Sequence, residues 1–265
     1  MSPQSPHSGL NRCNLPPWII ASCEFQERPQ PLEIDGARAT DRRLFAQLEA
    51  TSDPAQRGQI FHDYLSVKFR LHEWDQYEAS ARASLRHSYV RFLAGWGVDS
   101  NGHAGAVLKA WVESRFGLRA TYHHGVLAND RTAVERYAID RMKGASQTMG
   151  LSMQFDLLYT FCQDELRRRH PGCEHLTLYR GTHDPEEYAL REGSTAGAPL
   201  VRLNNLSSFS SDRETAWEFG SSVWEVRVPL SKIVFFSGLL PKHLLEGESE
   251  YLVLGGEYRV RPLRC

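Results

Sequence analysis

Between Arg42 and His170, apolar residues recur at the spacing of one helix face. Ile60, Tyr64, Val67 and Leu71 form one such set, and Leu85, Tyr89, Phe92 and Trp96 a second. Val107, Leu108, Trp111, Val112 and Phe116 make a third, and Phe155, Leu158, Tyr159 and Cys162 a fourth. After Pro171-Gly172 the period changes to two, in Leu176-Thr177-Leu178-Tyr179, Val223-Trp224-Glu225-Val226-Arg227-Val228, Ile233-Val234-Phe235-Phe236 and Tyr251-Leu252-Val253-Leu254. Gly255-Gly256 between two apolar runs predicts a hairpin pairing Ser249–Leu254 with Glu257–Val260. Ser211-Asp212-Arg213-Glu214 has the spacing of a capping box, with Ser211 as the cap of a short helix over Thr215–Phe219. The first 40 or so residues hold Pro3, Pro6, Pro16, Pro17, Pro29 and Pro31 with little periodicity, which predicts an extended arm. The pattern therefore predicts an α+β fold, a helical N-terminal half packed on a mostly antiparallel β-rich core. Its expected divisions are an arm at 1–40, a helical region at 41–170 and the β-rich part at 171–265, together one compact unit.

Composition narrows the partners. The 265 residues include 31 Lys+Arg against 32 Asp+Glu, so no net field favours nucleic acid or an anionic membrane. Cys13, Cys23, Cys162, Cys173 and Cys265 show no metal-ligand spacing, and an odd number fits poorly with a disulfide framework. The polar start and the short run Trp18-Ile19-Ile20-Ala21 match neither a signal peptide nor a membrane span, so a cytoplasmic location is expected. His123-His124 is an adjacent pair with no acidic or thiol partner at ligand spacing, and no metal is expected there. Gly95-x-Gly97 with Gly102 follows a helical run rather than a strand, which excludes a Rossmann loop. Gly-x-Ser-x-Gly, the elbow that would expose a nucleophilic serine, is absent.

Polar groups interrupt the strand patterns at three places. Arg180 shares parity with Leu176 and Leu178, so a straight strand points it to the leucine side, where a guanidinium needs an anion. Glu248 and Glu250 share parity with Leu252 and Leu254 and extend an apolar face with two carboxylates. Leu206-Ser207-Ser208-Phe209-Ser210-Ser211 lies between them as a hydroxyl-rich strand. Taken singly, Arg180 reads as a solvated strand end, and Glu-x-Glu as the wet face of an edge strand.

Their order changes that reading. Leu178-Tyr179-Arg180-Gly181, then Ser208-Phe209-Ser210, then Glu248-Ser249-Glu250 resembles the R-S-E class of arginine-specific mono-ADP-ribosyltransferases. Further stretches resemble the dinitrogenase reductase ADP-ribosyltransferase family: Pro29-Gln30-Pro31-Leu32-Glu33-Ile34-Asp35-Gly36, Gly95-Trp96-Gly97-Val98-Asp99-Ser100-Asn101-Gly102, Val112-Glu113-Ser114-Arg115-Phe116-Gly117-Leu118 and Arg202-Leu203-Asn204-Asn205-Leu206. The resemblance implies an ADP-ribosyltransferase core with an NAD cleft, NAD as co-substrate, the nitrogenase iron protein as target and a PII-type nitrogen signalling protein as regulator.

It also implies roles. Glu250 accepts the ribose 2′-hydroxyl and stabilises the oxocarbenium that forms as the nicotinamide bond breaks, a problem glycosidases also solve with carboxylates. Ser208 holds Glu250, Arg180 clamps the NAD phosphates, and Gly181 offers its backbone to the nicotinamide amide. Asn205 matches an asparagine that helps hold the dinucleotide in related toxins. Glu248 aligns and deprotonates an incoming guanidinium, which is otherwise a poor nucleophile. Phe209 replaces the family's usual small hydroxyl residue and is expected to pack. The competing readings are an NAD glycohydrolase, a transferase with another protein target, a glycosidase and a non-catalytic regulator.

Overall fold

The computed structural model describes residues 8, 10–71, 88–145, 148–183, 188, 199–242, 244–245 and 250–263. Leu85, Glu248, Ser249 and Cys265 lie outside them. Helices α1 (Pro17–Ile20), α2 (Cys23–Glu27), α3 (Ala37–Thr40), α4 (Arg42–Ala50) and α5 (Pro54–Lys68) come first. They are followed by α6 (Tyr89–Val98), α7 (His103–Phe116), α8 (Arg131–Ala145) and α9 (Thr148–Arg169). The strands are β1 (His175–Thr182), β2 (Leu200–Ser210), β3 (Ser222–Pro229), β4 (Ile233–Phe236), β5 (Glu250–Arg259) and β6 (Arg261–Leu263), with α10 (Arg213–Glu218) between β2 and β3. This is an α+β fold, helices first and sheet second. Among the described residues no helix is long and apolar enough to cross a membrane.

All six strands form one antiparallel sheet in the order β4-β5-β2-β1-β3-β6. α9 packs on β4 and the turn before it, and its Phe155, Leu158, Tyr159 and Cys162, the set that the helical period singles out, are buried. Tyr159 donates to the Ser231 carbonyl at 2.7 Å, which fixes the helix against the turn before β4. Two buried forks lock the helices to α9: Arg57 of α5 bonds Glu165 at 2.5 and 2.9 Å, and Arg115 of α7 bonds Asp156 at 2.7 and 2.9 Å. A guanidinium fork suits this task because its planar donors match both carboxylate oxygens.

The Pro-rich segment is not an extended arm. Pro17 starts α1 where a missing N–H costs nothing, and Ser22 caps α2 by accepting from the Phe25 amide at 3.1 Å. Ile20, Phe25, Leu32 and Ile34 belong to the main core. Gln26 donates to the carbonyls of Arg227 in β3 and Arg259 in β5, both at 3.1 Å, and accepts from the Arg259 amide at 2.6 Å. Those strands are not neighbours in the ladder, so the sheet is curled and α2 closes the gap between its ends.

Two local expectations are corrected. Gly255-Gly256 does not turn a hairpin, because β5 runs straight through it and pairs with β2 on both sides. The glycines instead face a bulge, where Asn204 and Asn205 stand between the pairs Leu203↔Gly256 and Leu206↔Leu254. A side chain at Gly255 would lie 1.8 Å from the Asn204 carbonyl oxygen. Gly256 has φ +116°, and a side chain there would meet the Ala21 carbonyl at 2.7 Å. Buried Lys232 donates to the Gly255 carbonyl at 3.1 Å, and desolvation pushes its ammonium down to about 7. At α10 the cap is Asp212, which accepts from the Glu214 amide at 2.7 Å, one residue later than the capping-box reading.

The bulge yields a stability prediction. Gly255→Ala forces its Cβ into backbone that cannot yield, and is expected to lower unfolding free energy by about 2–3 kcal/mol in urea titration. Gly172→Ala, at φ +77° with open space around it, is expected to cost about 1 kcal/mol. Equal losses for the two would contradict the close approach.

Candidate active site

β1 and β2 are paired directly only at Tyr179↔Ser210, while β1 runs in full register with β3, where Arg180 faces Trp224. The opening between β1 and β2 receives the Arg180 side chain. Its guanidinium donates to the Ser208 carbonyl at 2.7 Å and to the Tyr188 hydroxyl at 2.9 Å. Its centre lies 5.7 Å from the Tyr188 ring and 5.9 Å from the Phe209 ring. Phe209 is buried, so the aromatic that replaces a small hydroxyl residue packs and also flanks the cation. The guanidinium Nε is buried and has no hydrogen-bond partner among the described residues.

On the other side of β2, antiparallel pairing sets Ser208 opposite Leu252 and Ser210 opposite Glu250. Ser208 and Glu250 are thus diagonal neighbours on one face, and the Ser208 hydroxyl donates to Glu250 Oε1 at 3.0 Å. The Glu250 amide donates to Ser237 Oγ at 3.1 Å, and the Ser237 amide returns to the Glu250 carbonyl at 2.8 Å, which pins the start of β5. Desolvation raises the Glu250 carboxyl above the ordinary glutamate value, and the Ser208 hydrogen bond opposes that rise.

The helical half also reaches this carboxylate. Trp96 of α6 donates its indole N–H to Ser208 Oγ at 2.8 Å, and a side chain at Gly97 would stand 3.9 Å from Glu250 Oε2. Neither residue stands out chemically in the sequence. The signal that could have found them is the stretch Gly95–Gly102, which had no role in the R-S-E arrangement.

The remaining sequence candidates fall elsewhere. Gly181 precedes the end of β1, where a side chain would lie 2.1 Å from the Ala216 carbonyl of α10, so packing alone demands glycine. Asn205 sits in the bulge at the middle of β2. Its amide donates to the carbonyls of Lys109 at 2.9 Å and Leu118 at 3.0 Å. It lines a cleft of about 270 Å³ with Trp18, Arg119, Arg202, Gly256 and Glu257, and that cleft does not contain Arg180, Ser208 or Glu250. The structure thus brings Arg180, Ser208 and Glu250 together and leaves Asn205 apart.

The histidine pair does have an acidic partner, one that spacing could not reveal because it comes from α8. His123 Nε2 lies 3.2 Å from Asp140 Oδ2, and His103 Nδ1 lies 2.8 Å from Asp140 Oδ1. Ligand-type atoms of His123, His124 and Asp140 lie within 4.8 Å of one another. Lys109 Nζ lies 3.4 Å from the other ring nitrogen of His123, so both nitrogens are engaged and the group braces α7 against α8.

Residues 10–262 match the family model described as dinitrogenase reductase ADP-ribosyltransferase. A curated protein of Rhodospirillum rubrum, NAD(+)--dinitrogen-reductase ADP-D-ribosyltransferase, is 41% identical over 257 residues, which cover 95% of this chain and 93% of that protein. No solved structure matches the chain.

The carboxyl's environment yields a pH prediction. A reaction that needs Glu250 ionised loses rate as pH falls through its raised folded-state value, so the acidic limb of nicotinamide release is expected above the ordinary carboxylate range. Ser208→Ala removes the contact that favours the anion and should move the limb to still higher pH. A limb unmoved by Ser208→Ala would contradict the assignment of that hydrogen bond.

Proposed function

The chain belongs to the dinitrogenase reductase ADP-ribosyltransferase family, and from that membership we propose which residues carry its reaction and what they act on. The enzyme transfers ADP-ribose from NAD to dinitrogenase reductase, a modification that regulates nitrogen fixation. The acceptor in the proposal is an arginine, the site of reaction is cytoplasmic, and a PII-type signalling protein controls the activity.

The observation that carries the assignment is the Ser208–Glu250 hydrogen bond beside Arg180. As the nicotinamide–ribose bond breaks, positive charge develops on the ribose, and a carboxylate held in a partly desolvated place stabilises it more than one in water. Glu250 serves as that carboxylate and accepts the ribose 2′-hydroxyl. Ser208 keeps it oriented and ionised. Arg180 offers a guanidinium fork to the phosphates, with its Nε still able to donate. Gly181 presents backbone to the nicotinamide. Asn205 is given no NAD contact in the proposal because it lines a separate cleft; its amide donates to two backbone carbonyls, and its buried Oδ1 has no hydrogen-bond partner among the described residues. Glu248, two residues before Glu250, aligns the arginine acceptor and takes its proton as the N–C bond forms.

A glycosidase reading would use paired carboxylates but gives no account of Arg180 held beside the serine strand. A bare NAD glycohydrolase would need Glu250 but no second acid.

The proposal is tested by incubating the protein with labelled NAD and dinitrogenase reductase and mapping the labelled residue by mass spectrometry, with nicotinamide release followed in parallel. Glu250→Gln is expected to cost about 10²–10³ in both outputs, since bond cleavage precedes each. Glu248→Gln is expected to lose transfer while water still attacks the same cation, so hydrolysis persists. Arg180→Lys should raise KM for NAD, because an ammonium cannot reproduce the fork. Wild-type turnover by Glu250→Gln would remove the catalytic assignment, and a label on a side chain other than arginine would overturn the acceptor class.

A further inference from the structure

Trp96 takes no part in the reaction assigned above, yet its indole meets the site through the one atom that can fix a hydroxyl. An indole N–H donates and cannot accept. With Trp96 Nε1 2.8 Å from Ser208 Oγ, the serine oxygen must accept there. Its single proton is then directed elsewhere, and Glu250 Oε1 lies 3.0 Å away to receive it. A serine hydroxyl without such a donor can turn to local backbone carbonyls instead. We propose that Trp96 is a positioning residue for the ADP-ribosyl transfer: it sets the Ser208 rotor, and through that hydroxyl it orients the Glu250 carboxylate.

The surroundings hold the indole where this task requires. Trp96 is only 4% exposed. Gly95 packs so closely on α7 that a side chain there would lie 2.6 Å from the Ala104 Cβ. The loop that follows is held by Lys109, which donates to Asn101 Oδ1 at 3.1 Å and the Tyr122 carbonyl at 3.0 Å, with its Nζ 5.9 Å from the Trp96 ring. A side chain at Gly105 would lie 1.9 Å from the Ser100 carbonyl oxygen, so the loop lies directly on the first turn of α7. Among the charged groups on the packed elements, Lys109 lies against the indole, and Arg180 of β1 bonds the Ser208 carbonyl rather than its hydroxyl. Among the described residues Ser208 is the side chain that hydrogen-bonds the Glu250 carboxylate, so whatever orients Ser208 orients Glu250.

The inference rests on the reading that Ser208 and Glu250 serve the reaction, and the experiment separates the two. Trp96→Phe keeps an aromatic ring and deletes the N–H. Rates of nicotinamide release are measured across pH for the full-length wild type, Trp96→Phe, Ser208→Ala, Glu250→Gln and the double variant Trp96→Phe/Ser208→Ala. Trp96→Phe is expected to lower kcat about 10-fold, with KM for NAD within about twofold of wild type, and to move the acidic limb to higher pH. The double variant is expected to be no slower than Ser208→Ala alone, because the effect passes through the missing hydroxyl. If Trp96→Phe does not accumulate as folded protein, benzothienylalanine at position 96 supplies the same ring system with sulfur in place of N–H. A slow Ser208→Ala and Glu250→Gln beside a Trp96 variant with wild-type rate and limb would overturn the inference alone. Independent, additive losses with an unmoved limb would overturn it in favour of simple packing. Wild-type turnover by Ser208→Ala and Glu250→Gln would overturn the site reading and the inference together.

Discussion

In the proposed reaction Glu250 must stay ionised while partly shielded from water, and the structure around it serves that demand. Among the described residues Glu250 is bonded by one neutral donor, Ser208, which opposes the rise that burial imposes on its carboxyl. That arrangement depends on register. β2 and β5 pair so that the serine and the glutamate fall on one face one diagonal step apart, and a slip of one residue would send them to opposite faces. The Ser237–Glu250 backbone pair then stops the start of β5 from fraying.

The register in turn depends on parts of the chain far from the site. The β2 bulge at Asn204–Asn205 is held on one side by the bonds of Asn205 to α7 and the loop after it, and on the other by Gly255 and Gly256 against Asn204 and Ala21. Gln26 ties β3 to β5 across the curl of the sheet. The helical half therefore takes part in the site. It supplies a hydrogen bond to Ser208, a brace behind the bulge and a tie between β3 and β5.

Much of the site was legible in the sequence because strand parity is a local property. Arg180 and Glu250 break the apolar alternation of their strands, and Ser208 lies in a hydroxyl-rich strand between them. Helix also follows from period, but on α5 the buried face is Arg57, Gly58, Phe61 and Leu65 rather than the predicted set, since Val67 is exposed and Leu71 lies beyond the helix. What was not legible depended on contacts between distant segments. The Gly-Gly step looks like a turn because two glycines permit one, whereas here they permit two backbones to approach β5. The Pro-rich start looks like an arm because its short helices are too brief for a period to show, and its burial comes from the sheet it closes. Ser211 and Asp212 are both good caps, and only geometry chooses between them. Asn205 sits three residues before the motif serine, but the bulge turns it toward α7, an effect that counting along an ideal strand cannot foresee. Trp96 reads as one more core aromatic until its N–H is seen to have a partner.

Among the described residues, two places along β2 are candidates for the dinucleotide. One is the junction of Arg180, Ser208 and Glu250. The other is the cleft of about 270 Å³ beside Trp18, Arg119 and Asn205, whose carboxylate, Glu257, is paired with Arg202. We place the chemistry at the first, because bond cleavage needs the oriented anion. The most direct test is a crystal structure with a non-cleavable NAD analogue. The account predicts the nicotinamide-side ribose hydroxyl within hydrogen-bonding distance of Glu250 and the pyrophosphate on Arg180. An analogue seated between Trp18 and Asn205, with Glu250 untouched, would contradict it.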